Sequence, residues 1–338
     1  MTHARPVVAL TLGDPASVGP EIVVRALATG RLHGACVPVV VGDRRIVSRA
    51  LGTTGVALEV APIGRPVEAT GNPGLVEVVD VPAYGIDGIE WGRIQAAAGR
   101  AAFCSIVVAI DLALAREVDA VATGPVNKEA FRAAGVSQIG HTEIFGERTS
   151  TSDPLTLFEV KGLRIFFLTR HLPLAEAIRR ITAERTLDVL RRATAALRTL
   201  GVPAPRMAVA ALNPHGGEHG LFGDEEVREL VPAVAAARAE GIDAHGPFPA
   251  DSVFWHTAEG RFDAVLSLYH DQGHIAAKMY DFERTVSITC GLPFLRTSVD
   301  HGTAFDIAGT GRASEVSMVE AVRAAARYAF AVRPRPGA

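Results

Sequence analysis

Short apolar runs alternate with longer segments of helical period along the whole of this 338-residue chain, and that alternation most narrows what it can fold into. VVALTL leads into GDPASVGPEIVVRALATG, VPVVVGD into RRIVSRALG, and VDAVATGP into VNKEAFRAAG. Further along, LRIFFLT, RMAVAALNP and FDAVLSLY stand among the helical segments TAERTLDVLRRATAALRTLG and DEEVRELVPAVAAARAEG, and SEVSMVEAVRAAARYAFAV closes the chain. Four to eight apolar residues without alternation suit strands buried on both faces. Strand followed by helix, repeated throughout, gives an α/β/α architecture on mostly parallel sheets. The length suits two domains of roughly 150 residues each. No linker or repeat marks a border, so the chain can cross between lobes more than once.

Composition sets the material and the partners. Hydrophobic residues make up 48% of the chain and aromatics only 6%, so Ala, Val, Leu and Ile must build the core. A net charge of −3 gives no electrostatic case for nucleic acid or an anionic membrane, which leaves a small ligand. Cys36, Cys104 and Cys290 lie too far apart for a disulfide framework or a cysteine zinc knuckle. The opening MTHARPVVALTLGDP reads as a first strand rather than a signal sequence. No apolar stretch is expected to reach the roughly 20 residues of a membrane span. A soluble, cytoplasmic protein is the expectation.

Polar residues gather just after the strands: Gly13-Asp14-Pro15, then Gly124-Pro125 with Asn127 and Lys128, then Arg170 and His171, His215, and His270 with Asp271. In open parallel sheets the carboxyl ends of the strands line the ligand crevice. Three of these residues, His171, His215 and His270, occupy equivalent positions, and three imidazoles with one position left open form a common catalytic site for zinc or a similar divalent ion. YHDQGHI holds two histidines four apart, which invites a two-histidine grip on one helical turn. Gly273 between them weakens a helix there. The expectation is therefore that His270 alone binds metal, with Asp271 orienting it, and that His274 is a wall residue near the start of the next helix. Lys278, Arg296, His141 and Thr142 make a plausible clamp for phosphate or carboxylate, although each taken singly is an ordinary surface residue. Neither G-x-x-x-x-G-K-[ST] nor a G-x-G-x-x-G after the first strand is present, which argues against a standard P-loop or Rossmann site.

Together, GDPASVGPE, TGPVNK, GHTE, NPHGGE, PADSVF, YHDQG and GLPFLRTSVDHGTAFDIAG resemble the 4-hydroxythreonine-4-phosphate dehydrogenase family of pyridoxal phosphate biosynthesis, in order from about residue 6 to residue 330. The resemblance implies a homodimer of two-lobed, isocitrate/isopropylmalate dehydrogenase-like subunits, with the active site in the interlobe cleft at the subunit interface. It implies a divalent metal on His171, His215 and His270, drawn from both chains, and substrate contacts from His141, Thr142, Lys278, Ser287 and Arg296. Asp251 and Asp271 match acids that keep the site intact, and they stand with Lys278 as catalytic candidates. DHGTAFDIAGTG is similar to the adenosine-binding loop of isocitrate and isopropylmalate dehydrogenases, which makes His301, Gly302, Thr303, Ala304 and Asp306 the candidates for NAD or NADP. One lobe is expected to take residues 1–135 and 295–338, and the other 136–294 with most metal and substrate residues.

The activity implied is oxidation of 4-phosphooxy-L-threonine by NAD(P), in which hydride leaves the hydroxyl-bearing carbon. The resulting 3-keto acid decarboxylates to 3-amino-2-oxopropyl phosphate, with the metal stabilising the developing charge. Zn²⁺ leads as the ion, with Mg²⁺ and Co²⁺ open. Two departures point toward paralogues: VSIT puts Ser287 where an asparagine is usual, and HDQGHI stands for HDQGLP. The alternative substrates are therefore D-threonate or D-erythronate 4-phosphate. A cis-dihydrodiol dehydrogenase is a weaker alternative because GHTE is kept, and a phosphotransacetylase-like acyltransferase would need neither the histidines nor the DHGTAFDIAG loop.

Overall fold

The computed structural model describes residues 5–333, which divide into two compact units. The first takes the chain up to Pro154 and again from Val286, and the second takes Leu155–Thr285.

In the first unit the strands run in the order β3 (Glu59–Ile63), β4 (Leu75–Asp80), β2 (Val37–Gly42), β1 (Val7–Thr11), β5 (Ala120–Thr123), β12 (Leu295–Val299) and β11 (Val286–Cys290). All neighbours are parallel except the last two, which form an antiparallel pair. Every residue of β1, β2, β5 and β12 is buried, as the unbroken apolar runs of the first three require. One face of this sheet meets α3 (Ala96–Leu114): Val7, Ala9, Val37, Val39 and Val121 share a core with Ala102, Ile106, Ala109, Ile110 and Ala113. Helix α11 (Val316–Val332) packs on β1, β5 and β12 and takes no part in that core, so it covers the opposite face. Helix α3 is 19 residues long and apolar enough in composition to cross a membrane, contrary to the expectation that no stretch would reach that length. Its apolar residues are those of a core helix clamped against a sheet. The turn from β1 into α1 (Gly19–Ala28) passes so close to the end of β5 that a Cβ on Gly13, whose φ is +72°, would strike the Pro125 carbonyl.

The second unit orders its strands β6 (Leu155–Val160), β7 (Leu163–Phe167), β10 (Ala264–Ser267), β8 (Arg206–Ala210) and β9 (Asp243–Phe248). Only β6 and β7 are antiparallel. Val253 and Phe254 of α9 (Ala250–Ala258) and Ala277 of α10 (His270–Asp281) share a core with Phe158, Ile165, Phe167, Ala208 and Val265. The long helix α7 (Ala183–Thr199), whose first turn is capped by the Thr182 hydroxyl, packs on α8 (Val231–Ala239). The architecture is the mixed, mostly parallel α/β fold expected from the sequence. The borders fall elsewhere than expected: residues 136–154 and 286–294 lie with the first unit. The reason is packing, since Ile144 and Phe145 of α5 (His141–Arg148) join the α3 core and β11 pairs with β12.

Candidate active site

In the second unit, His171 follows β7 and His270 follows β10, two strands that are neighbours, so the residues just beyond their carboxyl ends converge. The two imidazole centroids lie 5.7 Å apart. They open onto a pocket of about 400 Å³ walled by Arg170, Leu172, Leu174, Tyr269 and Asp271 among others. His270 Nδ1 is 2.6 Å from the Asp271 carboxylate, which can only accept, so Nδ1 carries a proton and the neutral tautomer fixed by this bond has its lone pair on Nε2. Gln272 ties the frame together: its amide oxygen accepts from Leu268 N at 2.7 Å and its NH₂ donates to the Ala211 carbonyl at 2.8 Å, linking the ends of β10 and β8.

Helix α10 starts at His270 and carries His274 one turn on, so Gly273 does not interrupt the helix as the sequence suggested. It is there for contact: a Cβ on Gly273 would lie 2.5 Å from the Phe167 ring and 2.9 Å from Ile165 Cγ2. Helix and strand can approach this closely only without a side chain. The two imidazoles stack face to face, centroids 3.5 Å apart and planes 12° from parallel. In-plane lone pairs of parallel rings do not converge, which disfavours a shared ion. His274 Nδ1 donates to the His270 carbonyl at 2.8 Å, and its ring is wedged against Phe158 and Phe167. Burial pulls its pKa down to about 4, against a smaller upward pull from the His270 carbonyl. His274 is held neutral beneath His270 and props its ring.

His215, the third metal candidate, sits after β8 in a turn with left-handed backbone (φ +54°), its ring near Phe222 at 6.3 Å between centroids. Among the described residues, no three His, Cys, Asp or Glu side chains stand close enough to hold a metal ion. The chain therefore brings His171 and His270 together in one pocket, with His215 apart from them. Asp251 is exposed in the first turn of α9, and Lys278 lies two turns along α10 from His270 with Nζ 5.3 Å from the Phe282 ring centroid.

Of the anion candidates of the first unit, Arg296 and Ser287 are built into the sheet, and His141 and Thr142 open α5. Arg296, the second residue of β12, is only 5% exposed. Its guanidinium donates to Thr123 Oγ1 at 2.7 and 3.2 Å and to Thr289 Oγ1 at 3.1 Å, and lies over the Phe145 ring. His141 opens α5, where Gly140 offers no side-chain cap, and its buried Nε2 has no hydrogen-bond partner. Burial, reinforced by the nearby Arg296 charge, holds this imidazole neutral, well below its ordinary pKa. A fixed guanidinium near an unsatisfied ring nitrogen suits a bound anion. Thr142 follows on α5, half-buried, and Ser287 stands half-buried on β11 opposite Ser298.

The segment His301–Gly311 is an irregular loop held from beneath. Val18 N donates to the Thr303 carbonyl at 3.2 Å, and His301 Nδ1 meets the Gly302 carbonyl at 2.9 Å. Ala304 takes φ +42°, and Gly302 and Asp306 are exposed. Glu21 of α1 is fully buried and accepts from Gly309 N at 2.6 Å and Gly311 N at 2.8 Å. Sequence reasoning passed over Glu21, Thr123, Thr289 and Gln272, all of which hold the candidate residues in place. Glu21 alone left a signal, as an acid on an otherwise apolar helix face.

Comparison with known proteins adds the family. The model of pyridoxal phosphate biosynthetic protein PdxA matches residues 34–325. A protein of Symbiobacterium thermophilum with the provisional name D-threonate 4-phosphate dehydrogenase is 63% identical over 329 residues, 97% of this chain and 98% of its own length. The crystal structure of 4-hydroxythreonine-4-phosphate dehydrogenase from Klebsiella pneumoniae superposes with a TM-score of 0.90 at 44% identity, covering 97% of this chain and 99% of that one. A terephthalate 1,2-cis-dihydrodiol dehydrogenase from Burkholderia xenovorans is more distant, at TM-score 0.63 and 30% identity over 94% of this chain and 96% of its own.

Proposed function

The chain belongs to the PdxA family of dehydrogenases, and from that premise we propose that it oxidises a phosphorylated four-carbon hydroxy acid with NAD or NADP, D-threonate 4-phosphate before 4-phosphooxy-L-threonine. The observation that carries the reading is Arg296, buried and fixed by Thr123 and Thr289 near the neutral His141, whose Nε2 has no hydrogen-bond partner. Such a pair suits a phosphate, and an aromatic dihydrodiol would use it only through a carboxylate on its ring. Thr142 and Lys278 add contacts to the anionic groups. Ser287, shorter than an amide, suits a substrate whose second carbon bears hydroxyl rather than ammonium, and the 63% identical relative favours the same choice. 4-Phosphooxy-L-threonine stands as the second reading, favoured by the Klebsiella enzyme's name at 44% identity and consistent with a role in pyridoxine biosynthesis.

A bound nicotinamide would supply the acceptor for the hydride of the hydroxyl-bearing third carbon, the hydroxyl proton would be released, and the resulting 3-keto acid would lose carbon dioxide. Threonate phosphate would leave dihydroxyacetone phosphate, and the amino acid would leave 3-amino-2-oxopropyl phosphate. His171 and His270, with His215, are the residues we assign to a divalent ion, Zn²⁺ first and Mg²⁺ or Co²⁺ next, the three drawn from two copies of the chain. The proton on His270 Nδ1, held by Asp271, supports this because it leaves Nε2 as a donor. Such an ion would supply Lewis-acid polarisation of the reacting oxygen. Asp251 is assigned to keeping the site intact, and His301, Gly302, Thr303, Ala304 and Asp306 to the dinucleotide. A homodimer is supported by the apolar stripe of Ile275 and Met279 on α10 and Phe282 at its C-cap, each more than half exposed. We place the enzyme in the cytoplasm.

The test is NAD(P)H production by metal-loaded protein offered D-threonate 4-phosphate, D-erythronate 4-phosphate and 4-phosphooxy-L-threonine, before and after chelation and metal add-back. Turnover on threonate phosphate that is lost with the metal and restored by it is the expected result. Turnover confined to the amino acid would reverse the order of substrates, and turnover indifferent to chelation would remove the metal.

A further inference from the structure

The turn that carries His215 is the most strained backbone among the described residues. His215, Gly216, Gly217, Glu218 and His219 all take positive φ, at +54°, +70°, +79°, +41° and +57°. A left-handed conformation crowds the Cβ of a non-glycine residue against the following carbonyl, and here three such residues adopt it in one run. Strain of this kind persists only where the surroundings enforce it. The enforcing group is identifiable. Glu226 is 1% exposed, and its Oε1 accepts from the backbone N–H of Leu212 at 2.8 Å and of Asn213 at 2.7 Å. Its Oε2 accepts from Asn213 Nδ2 at 2.9 Å and lies 2.8 Å from where a Cβ on Gly217 would stand. One carboxylate thus fixes the chain entering the turn and lies close against its centre, where only a glycine leaves room. Glu226 itself opens a π-turn (Glu226–Leu230), an irregularity that recurs near functional sites.

We propose that Glu226 is a positioning residue for His215: its buried carboxylate holds residues 212–217 in the left-handed turn that presents the imidazole. Glu226 touches neither substrate nor cofactor; it acts through the backbone. The proposal rests on the reading of His215 as a metal ligand, and it goes beyond that reading by saying what keeps the ligand in place.

Co²⁺ binding separates the two claims, because its visible spectrum reports ligand geometry independently of turnover. Co²⁺ affinity and d–d spectra are measured on the full-length protein carrying H215A, E226A or E226Q, with circular dichroism and gel filtration checking the fold. The expected result is that H215A loses affinity and that E226A weakens it by on the order of tenfold or more with an altered spectrum. E226Q keeps the acceptor for both backbone amides and loses only the bond from Asn213 Nδ2, so it should fall between E226A and wild type. If E226A does not fold, E226Q decides alone. Co²⁺ binding that needs His215 but is unchanged in affinity and spectrum by a folded E226A, or by E226Q where E226A is lost, overturns the proposal. Co²⁺ binding untouched by H215A removes the ligand reading first, and the role of Glu226 falls with it.

Discussion

Replacing Asp14 with Asn should make the protein more stable at alkaline pH and leave it nearly unchanged in acid. Asp14 is fully buried after β1, one carboxylate oxygen accepting from Ala16 N at 2.8 Å and the other without a hydrogen-bond partner. Burial lifts its pKa from 3.8 to about 6, against a smaller downward pull from the Ala16 amide. The folded chain thus holds this proton more tightly than the unfolded one. The stability it confers is complete below pH 3.8 and fades as the pH rises through about 6. At about 1.4 kcal/mol for each pKa unit, the ionised carboxylate costs the fold at most about 3 kcal/mol at pH 8. Asn keeps the acceptor for Ala16 and cannot ionise. Scanning calorimetry of wild type and D14N at pH 4 and pH 8 should show a Tm difference that grows with pH, by about 2–4 °C per kcal/mol for a unit of this size. The change in that difference, rather than its offset at either pH, carries the reading, since Asn introduces its own unpartnered NH₂. A difference that stays flat from pH 4 to pH 8 would refute the buried-charge argument.

Three other outcomes are expected. G273A should destabilise the second unit by about 1–3 kcal/mol in urea unfolding, because its Cβ would overlap Phe167 and Ile165 where α10 meets β7. T123V removes the acceptor of two guanidinium N–H groups of Arg296 and should raise KM for the phosphorylated substrate roughly tenfold while kcat changes little; an unchanged KM would separate Arg296 from substrate binding. M279E, on the 81% exposed centre of the α10 stripe, should convert a dimer to monomers in sedimentation, and a wild-type protein that sediments as a monomer would dispose of the dimer altogether.

The strands that could be read from the sequence were those buried on both faces, because their apolar runs have no other use. VVALTL, VPVVV, LRIFF and AVLS became β1, β2, β7 and β10, and the histidines placed at their ends were found there in His171 and His270. The strands that escaped are those whose partners, rather than composition, define them. Residues 243–248, DAHGPF, have no strand signature, yet they pair with β8. Nothing in GLPFLRTS announced that Arg296 would lie inside a strand, because a buried arginine becomes tolerable only once Thr123 and Thr289 are seen to meet it.

Gly273 illustrates the same limit from the other side. Read locally, a glycine between two histidines weakens a helix; in the fold it is required, since Phe167 occupies the space a side chain would take. Local propensity counts about 1 kcal/mol against glycine in a helix, and a clash with a packed ring costs more, so the tertiary contact wins. The buried acids obey this logic most fully. A carboxylate at Glu21 or Glu226 is costly to bury alone and becomes an asset when backbone N–H groups surround it. For Glu226 those groups lie 13 and 14 residues away, but for Glu21 they lie 288 and 290 away. An acid on an apolar helix face is therefore a readable sign that some loop must come to it, and only the fold says which. Here the loops are the two that carry His215 and the dinucleotide candidates, which is why the positioning residues, rather than the ligands, were the part of the site the sequence concealed.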